Sequence, residues 1–115
     1  MPGTPFSRSQ QLSILDGALK RRDAELAWRT AGNISPQLEL DRALLLVILL
    51  GEREAPAFQR SARRWLVRFI TEHRPTVVQI KRVSDALNEL LTFVARDDAR
   101  EALERLAEQL RRRAN

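Results

Sequence analysis

Apolar residues recur at helical spacing along most of the chain. The longest such pattern lies between Pro56 and Pro75, where apolar positions follow at i, i+4, i+7, i+8, i+11 and i+12: Phe58, Ala62, Trp65, Leu66, Phe69 and Ile70. This spacing places them on one face of a helix. Strict alternation of apolar and polar residues, which would indicate strands, extends over no useful length. The pattern therefore predicts an all-α chain, either a compact antiparallel bundle or a short helical-hairpin array of about six helices.

Hydroxyl and carboxyl side chains mark where several of these helices begin. Ser7, Thr76 and Asp98 are each followed three residues later by Gln or Glu, which is the spacing of a capping box. Asp23 is placed to cap a short second helix. Gly32-Asn33 is predicted to end that helix, because both residue types tolerate a positive φ.

The third helix is the most apolar. We predict that it begins at Ser35-Pro36, a hydroxyl cap followed by proline at the first helical position, and runs to Leu50 with Gly51 at its end. Residues 43–50 are all apolar, so they need cover on several sides, and this is the predicted central helix. The run is far shorter than the roughly 18 residues that suggest a membrane span, so no membrane partner is predicted.

The first, fifth and sixth helices each have one apolar face, which is predicted to be buried. The inward residues are Leu12, Leu15 and Leu19 on the first; Ile80, Val83, Leu87, Leu90 and Val94 on the fifth; and Ala99, Leu103, Leu106 and Leu110 on the sixth.

Composition limits the chain to a small globular class. It has 115 residues, 43% of them apolar and 30% charged, which excludes wholesale disorder. We predict a flexible tail at residues 1–6, one helical domain at 7–110 and a basic tail at 111–115. Cysteine is absent, which excludes disulfides and Cys/His zinc sites. Without cysteine or an export signal at the N-terminus, the cytoplasm is the expected location.

Positive charge is concentrated on the fourth helix. The chain carries a net charge of +5, and residues 56–75 hold five arginines against one glutamate. Arg60, Arg64 and Arg68 follow at i, i+4 and i+8, which forms a stripe about 12 Å long. Such a stripe could follow about three phosphates of one nucleic-acid strand. The neighbouring cations that would extend this binding site are Arg63, Lys81 and Arg82.

Residues for catalysis are sparse. His73 is the single imidazole, and its place in the last turn of a helix suits a histidine that complements the helix dipole. Neither Glu72-His73 nor Asp97-Asp98 has metal-ligand spacing, and the glycines are too isolated to form a phosphate-binding loop. We therefore predict no enzyme activity, no cofactor, no metal and no small-molecule ligand.

Binding is the remaining class of function. The leading hypothesis is a non-catalytic interaction or adaptor module, such as a small subunit of a larger assembly, with a protein partner or a second copy of itself. The alternative is a subunit that binds the nucleic-acid backbone through the arginine stripe. A purely structural interpretation also exists, in which the stripe is solvated or pairs with Glu52 and Glu54 across the bundle.

Overall fold

The computed structural model describes residues 7–34 and 38–114, and within these ranges the chain is helical with no strand. The elements are α1 (Arg8–Lys20), α2 (Ala24–Gly32), α3 (Leu40–Glu52), α4 (Phe58–His73), α5 (Val77–Glu89) and α6 (Arg96–Ala114). The all-α prediction with about six helices is confirmed. The tail predicted at residues 1–6, the helix start at Ser35-Pro36 and Asn115 lie outside the described residues.

The chain divides into two compact units, Met1–Leu38 and Glu39–Asn115. The single domain predicted over 7–110 stays a prediction. In the first unit, α1 packs on α2 as a helical hairpin. The predicted capping box at Ser7 forms, and the Asp23 carboxylate accepts a hydrogen bond from the Leu26 N–H at 3.1 Å. Arg22, between the helices, has φ 58°, and the Asp23 N–H returns to the Ala18 carbonyl at 2.9 Å. This left-handed turn makes the hairpin tight.

The second unit is an up-down-up-down four-helix bundle. α3 packs on α4 and α6, and α5 packs on the same two helices, which closes a ring. The Trp65 indole donates a hydrogen bond to the Leu40 carbonyl at 2.9 Å, which joins the second half of α4 to the first turn of α3. At the opposite end, the Arg100 guanidinium donates to the Glu52 carboxylate at 3.0 Å and joins α6 to α3.

The core of this bundle is built around α3. Every residue from Leu46 to Leu50 is buried, as the uninterrupted apolar run predicts. Three rings of α4 cover it from one side: Phe58, Trp65 and Phe69. On α6, Ala99, Leu103 and Leu110 are buried as predicted, and Leu106 is half-buried. Burial of this apolar area is the main favourable term in the folding of the unit.

Some predicted boundaries and faces were wrong. α3 starts at Leu40, because the Glu39 backbone is extended, with ψ 152°. α6 starts at Arg96, two residues before the expected cap at Asp98. It also continues through residues 111–113, which the sequence assigns to a tail. α5 ends at Glu89, so Val94 follows a turn and is 91% exposed instead of lying on the apolar face.

The glycines near the helix ends do not act as left-handed caps. α2 ends at Gly32-Asn33 as predicted, but Asn33 has φ −97°, so no left-handed residue ends that helix. The described non-glycine residues with positive φ are Arg22, Glu54 and Arg74, and each follows a helix. Gly51 lies inside α3, where a Cβ would come 2.8 Å from Cε1 of Phe58. The glycine is therefore required by close helix packing and not by the end of the helix.

Candidate functional site

The outward side of α4 carries three exposed arginines within one turn: Arg60, Arg63 and Arg64. Their spacing of i, i+3 and i+4 makes them neighbours on the helix surface. The opposite side of the helix is fixed inward by Trp65 and Phe69, whose rings stack at a centroid distance of 5.0 Å. The aromatic side of α4 therefore determines that the arginines point to solvent.

None of these three guanidinium groups has a hydrogen bond or an ion pair within residues 7–34 and 38–114. The expected pairing with Glu52 across the bundle does not form, because Glu52 is held by Arg100 of α6. A surface that keeps three arginines within one turn unpaired has a strong local positive field.

Apolar side chains lie on the same outward side of α4. Val67 is 64% exposed and follows Arg63 by four residues and Arg64 by three, so it lies one turn beyond these two arginines on the same side of the helix. Ile70 follows Val67 by three residues and is 40% exposed, although its spacing predicted burial. We call this surface the α4 outer face; it comprises Arg60, Arg63, Arg64, Val67 and Ile70. Val67 could not be assigned to this surface from the sequence, because it falls outside the apolar period of the helix.

The other predicted binding residues lie elsewhere or have partners. The Arg68 guanidinium donates to both oxygens of the Glu72 carboxylate, at 2.8 and 3.4 Å. The Lys81 ammonium donates to the Asp85 carboxylate at 3.1 Å. Arg82 is exposed on α5 and lines a cleft of about 280 Å³ between α5 and α6. The structure thus leaves three of the six predicted residues as an exposed cluster; Arg68 adjoins Arg64 on α4 but is paired with Glu72, and Lys81 and Arg82 lie on α5.

Two arginines at the end of α6, unlike the three on α4, have a carboxylate partner on their own helix. The Glu108 carboxylate accepts hydrogen bonds from Arg111 at 2.6 Å and from Arg112 at 3.2 Å. The hydrogen bond from Arg111 is the largest influence that lowers the pKa of Glu108 below its ordinary value of 4.5. The same bond raises the pKa of Arg111. Two of the three arginines in the last turn of α6 therefore share one carboxylate partner within the same helix.

The single histidine ends a stack of rings. The His73 imidazole lies 5.1 Å from the Phe69 ring centre at an interplanar angle of 15°. Its Nε2 lies 3.4 Å from Nη1 of Arg113. Among the described residues, no group of three His, Asp or Glu side chains is placed to hold a metal ion. His73 therefore packs as an aromatic ring at the edge of the core.

Within the described ranges, no helix combines the length and the apolar character needed to cross a bilayer. Comparisons with known proteins give no relative: no family model, no curated protein and no solved structure matches the chain.

Proposed function

We propose that the protein is a non-catalytic interaction module whose α4 outer face binds an acidic, amphipathic segment of a protein partner. The observation that carries the proposal is the arrangement of Arg60, Arg63 and Arg64, exposed and without an ion pair to any described residue, one turn before the exposed side chain of Val67. A cytoplasmic location and a place in a larger assembly stay predictions from the sequence.

The arginines select for acidic groups on the partner. A guanidinium presents a planar fork of donors that fits both oxygens of a carboxylate, as Arg68 already does with Glu72. Three such guanidinium groups within one turn can bind aspartate or glutamate side chains of a single partner segment. Binding of a second copy through the same face would bring like charges together, which disfavours self-association at this surface.

The apolar residues favour a protein over a nucleic-acid backbone. Covering Val67 and Ile70 removes apolar surface from water, which contributes about 25 cal/mol for each Å² buried. An amphipathic helix offers apolar side chains at i, i+3 and i+4 beside its acidic ones, and so satisfies both components of the face. Arg68, a member of the predicted phosphate-binding stripe, and Lys81, which was expected to extend it, are already paired with carboxylates.

The test is fluorescence anisotropy of the full chain with three labelled probes. One is a Glu-rich amphipathic peptide with leucine at i, i+4 and i+7, and the others are single- and double-stranded oligonucleotides. The R60Q/R63Q/R64Q variant removes the charges, and Val67→Ser removes apolar surface without changing charge. The control variant, R82Q/R105Q/R112Q, loses the same charge from exposed positions of α5 and α6.

We expect the peptide to bind, and the α4 triple variant to weaken its affinity at least tenfold, about 1.4 kcal/mol. Val67→Ser should also weaken it, while the control variant should not. The proposal is wrong if the control weakens binding as much as the α4 variant, or if no peptide binding occurs. Oligonucleotide binding alone, unaffected by Val67→Ser and about 40-fold weaker at 200 than at 50 mM salt, would instead establish the backbone-binding alternative with three phosphate contacts.

A further inference from the structure

A groove of about 230 Å³ lies between α4 and α5 in the second unit. Its buried lining residues are apolar: Phe58, Ala62 and Leu87. Its exposed lining residues are polar or charged: Gln59, Arg63 and Asn88. The groove therefore has an apolar floor and a polar rim that is open to solvent. Two small side chains, Ala62 of α4 and Ser84 of α5, line it and leave room that larger side chains would fill.

This groove is continuous with the α4 outer face. Arg63 belongs to both surfaces, and Ala62, Leu66 and Ile70 follow at i, i+4 and i+8 along the edge of α4. The three side chains form an apolar strip about 12 Å long. Leu66 is half-buried and Ile70 is exposed, so part of this strip is open to solvent directly beside the arginines.

The two rims of the groove differ in charge. The α4 rim carries Arg63, which has no ion pair among the described residues. The α5 rim carries the neutral Asn88. Of the other cations on α5, Lys81 is paired with Asp85 at 3.1 Å, and Arg82 lines the cleft on the α6 side of the helix. A segment lying in the groove therefore meets unpaired positive charge on its α4 side.

The size of the groove limits what it can hold. Its volume of about 230 Å³ is below the roughly 300–1,000 Å³ that is typical of small-molecule sites. A single large aliphatic side chain is a smaller occupant, and its backbone can stay outside. Amphipathic helices bind in this way, with apolar anchors in a groove and polar residues at its edges.

We propose that the partner segment is an acidic amphipathic helix that binds along this groove. A leucine-sized side chain is inserted between Ala62, Leu66 and Leu87, and the acidic side chains lie against Arg60 and Arg63. The inference rests on the proposed function and adds an anchor site and a conformation for the segment. Charge alone attracts any acidic segment, whereas an anchor selects those with a large apolar side chain at the right position.

The test is a double-mutant cycle between the partner peptide and the groove of the full chain. The first probe is the labelled Glu-rich peptide with leucine at i, i+4 and i+7, and the second has alanine in place of the middle leucine. We expect the alanine peptide to bind at least tenfold more weakly. Ser84→Leu fills the groove from α5 without changing charge, so it should weaken the leucine peptide at least tenfold and abolish the difference between the peptides. Ser13→Leu, the same change at an exposed position of α1, should leave both affinities unchanged.

A second readout uses the unsubstituted chain, so it does not depend on the folding of Ser84→Leu. A photoreactive leucine analogue replaces the middle leucine of the peptide, and the cross-linked residues are identified by mass spectrometry. We expect cross-links to residues 59–66 of α4 and to residues 84–88 of α5, which together line the groove.

Failure of this inference is distinguishable from failure of the proposed function. If R60Q/R63Q/R64Q leaves the affinity for the leucine peptide unchanged, both are wrong. If that variant weakens binding but the alanine substitution costs the same factor with Ser84→Leu as with the unsubstituted chain, only the groove is wrong. Cross-links confined to α6 or to the first unit would also overturn the groove. So would a dimer, seen by sedimentation without peptide, that Ser84→Leu dissociates, because a second copy would then be the occupant.

Discussion

The ring of Phe58 lies so close to the α-carbon of Gly51 that a Cβ at Gly51 would come 2.8 Å from Cε1 of the ring. The same Cβ would lie 3.2 Å from Cβ of Leu90, so α3, α4 and the end of α5 converge on a residue with no side chain. A larger residue at this position must displace the Phe58 ring or one of these elements.

Gly51→Ala should therefore destabilise the protein, although alanine is the better helix former. We expect the free energy of unfolding to fall by about 1–3 kcal/mol, because overpacking a tight core contact has this cost. Urea unfolding followed by circular dichroism measures it. Gly32→Ala is the control, since a Cβ at Gly32 would meet nothing within 4 Å and no loss is expected. Equal stability of the two variants would contradict the close contact.

The indole hydrogen bond of Trp65 should be measurable in the same way. Trp65→Phe loses the donor to the Leu40 carbonyl and leaves space beside α3, so we expect a loss of about 1–3 kcal/mol. Trp28→Phe makes the same chemical change at a half-exposed residue and should cost less than about 0.5 kcal/mol. If both variants unfold at the same urea concentration, the hydrogen bond between α3 and α4 contributes nothing to stability.

The ion pairs of Glu108 predict a pH dependence of stability. Arg111 and Arg112 lower the pKa of Glu108 in the folded state. Glu108 therefore stabilises the folded protein at pH values above 4.5, its ordinary pKa. This contribution is lost as the pH falls through the lowered folded-state pKa. Thermal unfolding should therefore show Glu108→Gln as less stable than the unsubstituted chain at pH 7, with the difference vanishing at acidic pH. The exposed Glu101 offers a control, since Glu101→Gln should show no such convergence.

The helices could be predicted from the sequence because their signals are local. The capping boxes at Ser7 and Thr76 need only four consecutive residues, and both form as predicted. The exposure of Val94 could not be predicted, because it depends on α5 ending at Glu89, before the apolar face predicted for this helix reaches Val94. Apolar spacing indicates which residues can share a face, but it does not show where the helix stops.

The candidate site could be predicted only in part, for the same reason. The cluster of Arg60, Arg63 and Arg64 follows from spacing on one helix, so the sequence was sufficient to find it. The exposure of Ile70 depends on how α4 packs against its neighbours, which no local pattern encodes, so its apolar spacing predicted burial instead.

The ring of four helices in the second unit closes where α6 contacts α3. The α3–α4, α4–α5 and α5–α6 pairs are neighbours in sequence, so each can form soon after its two helices do. The contact between α3 and α6, with the ion pair of Glu52 and Arg100, joins segments that are separated in sequence by the whole of α4 and α5. We expect the closure of this pair to limit the folding rate of the unit, because it orders a longer stretch of chain than any of the other pairs.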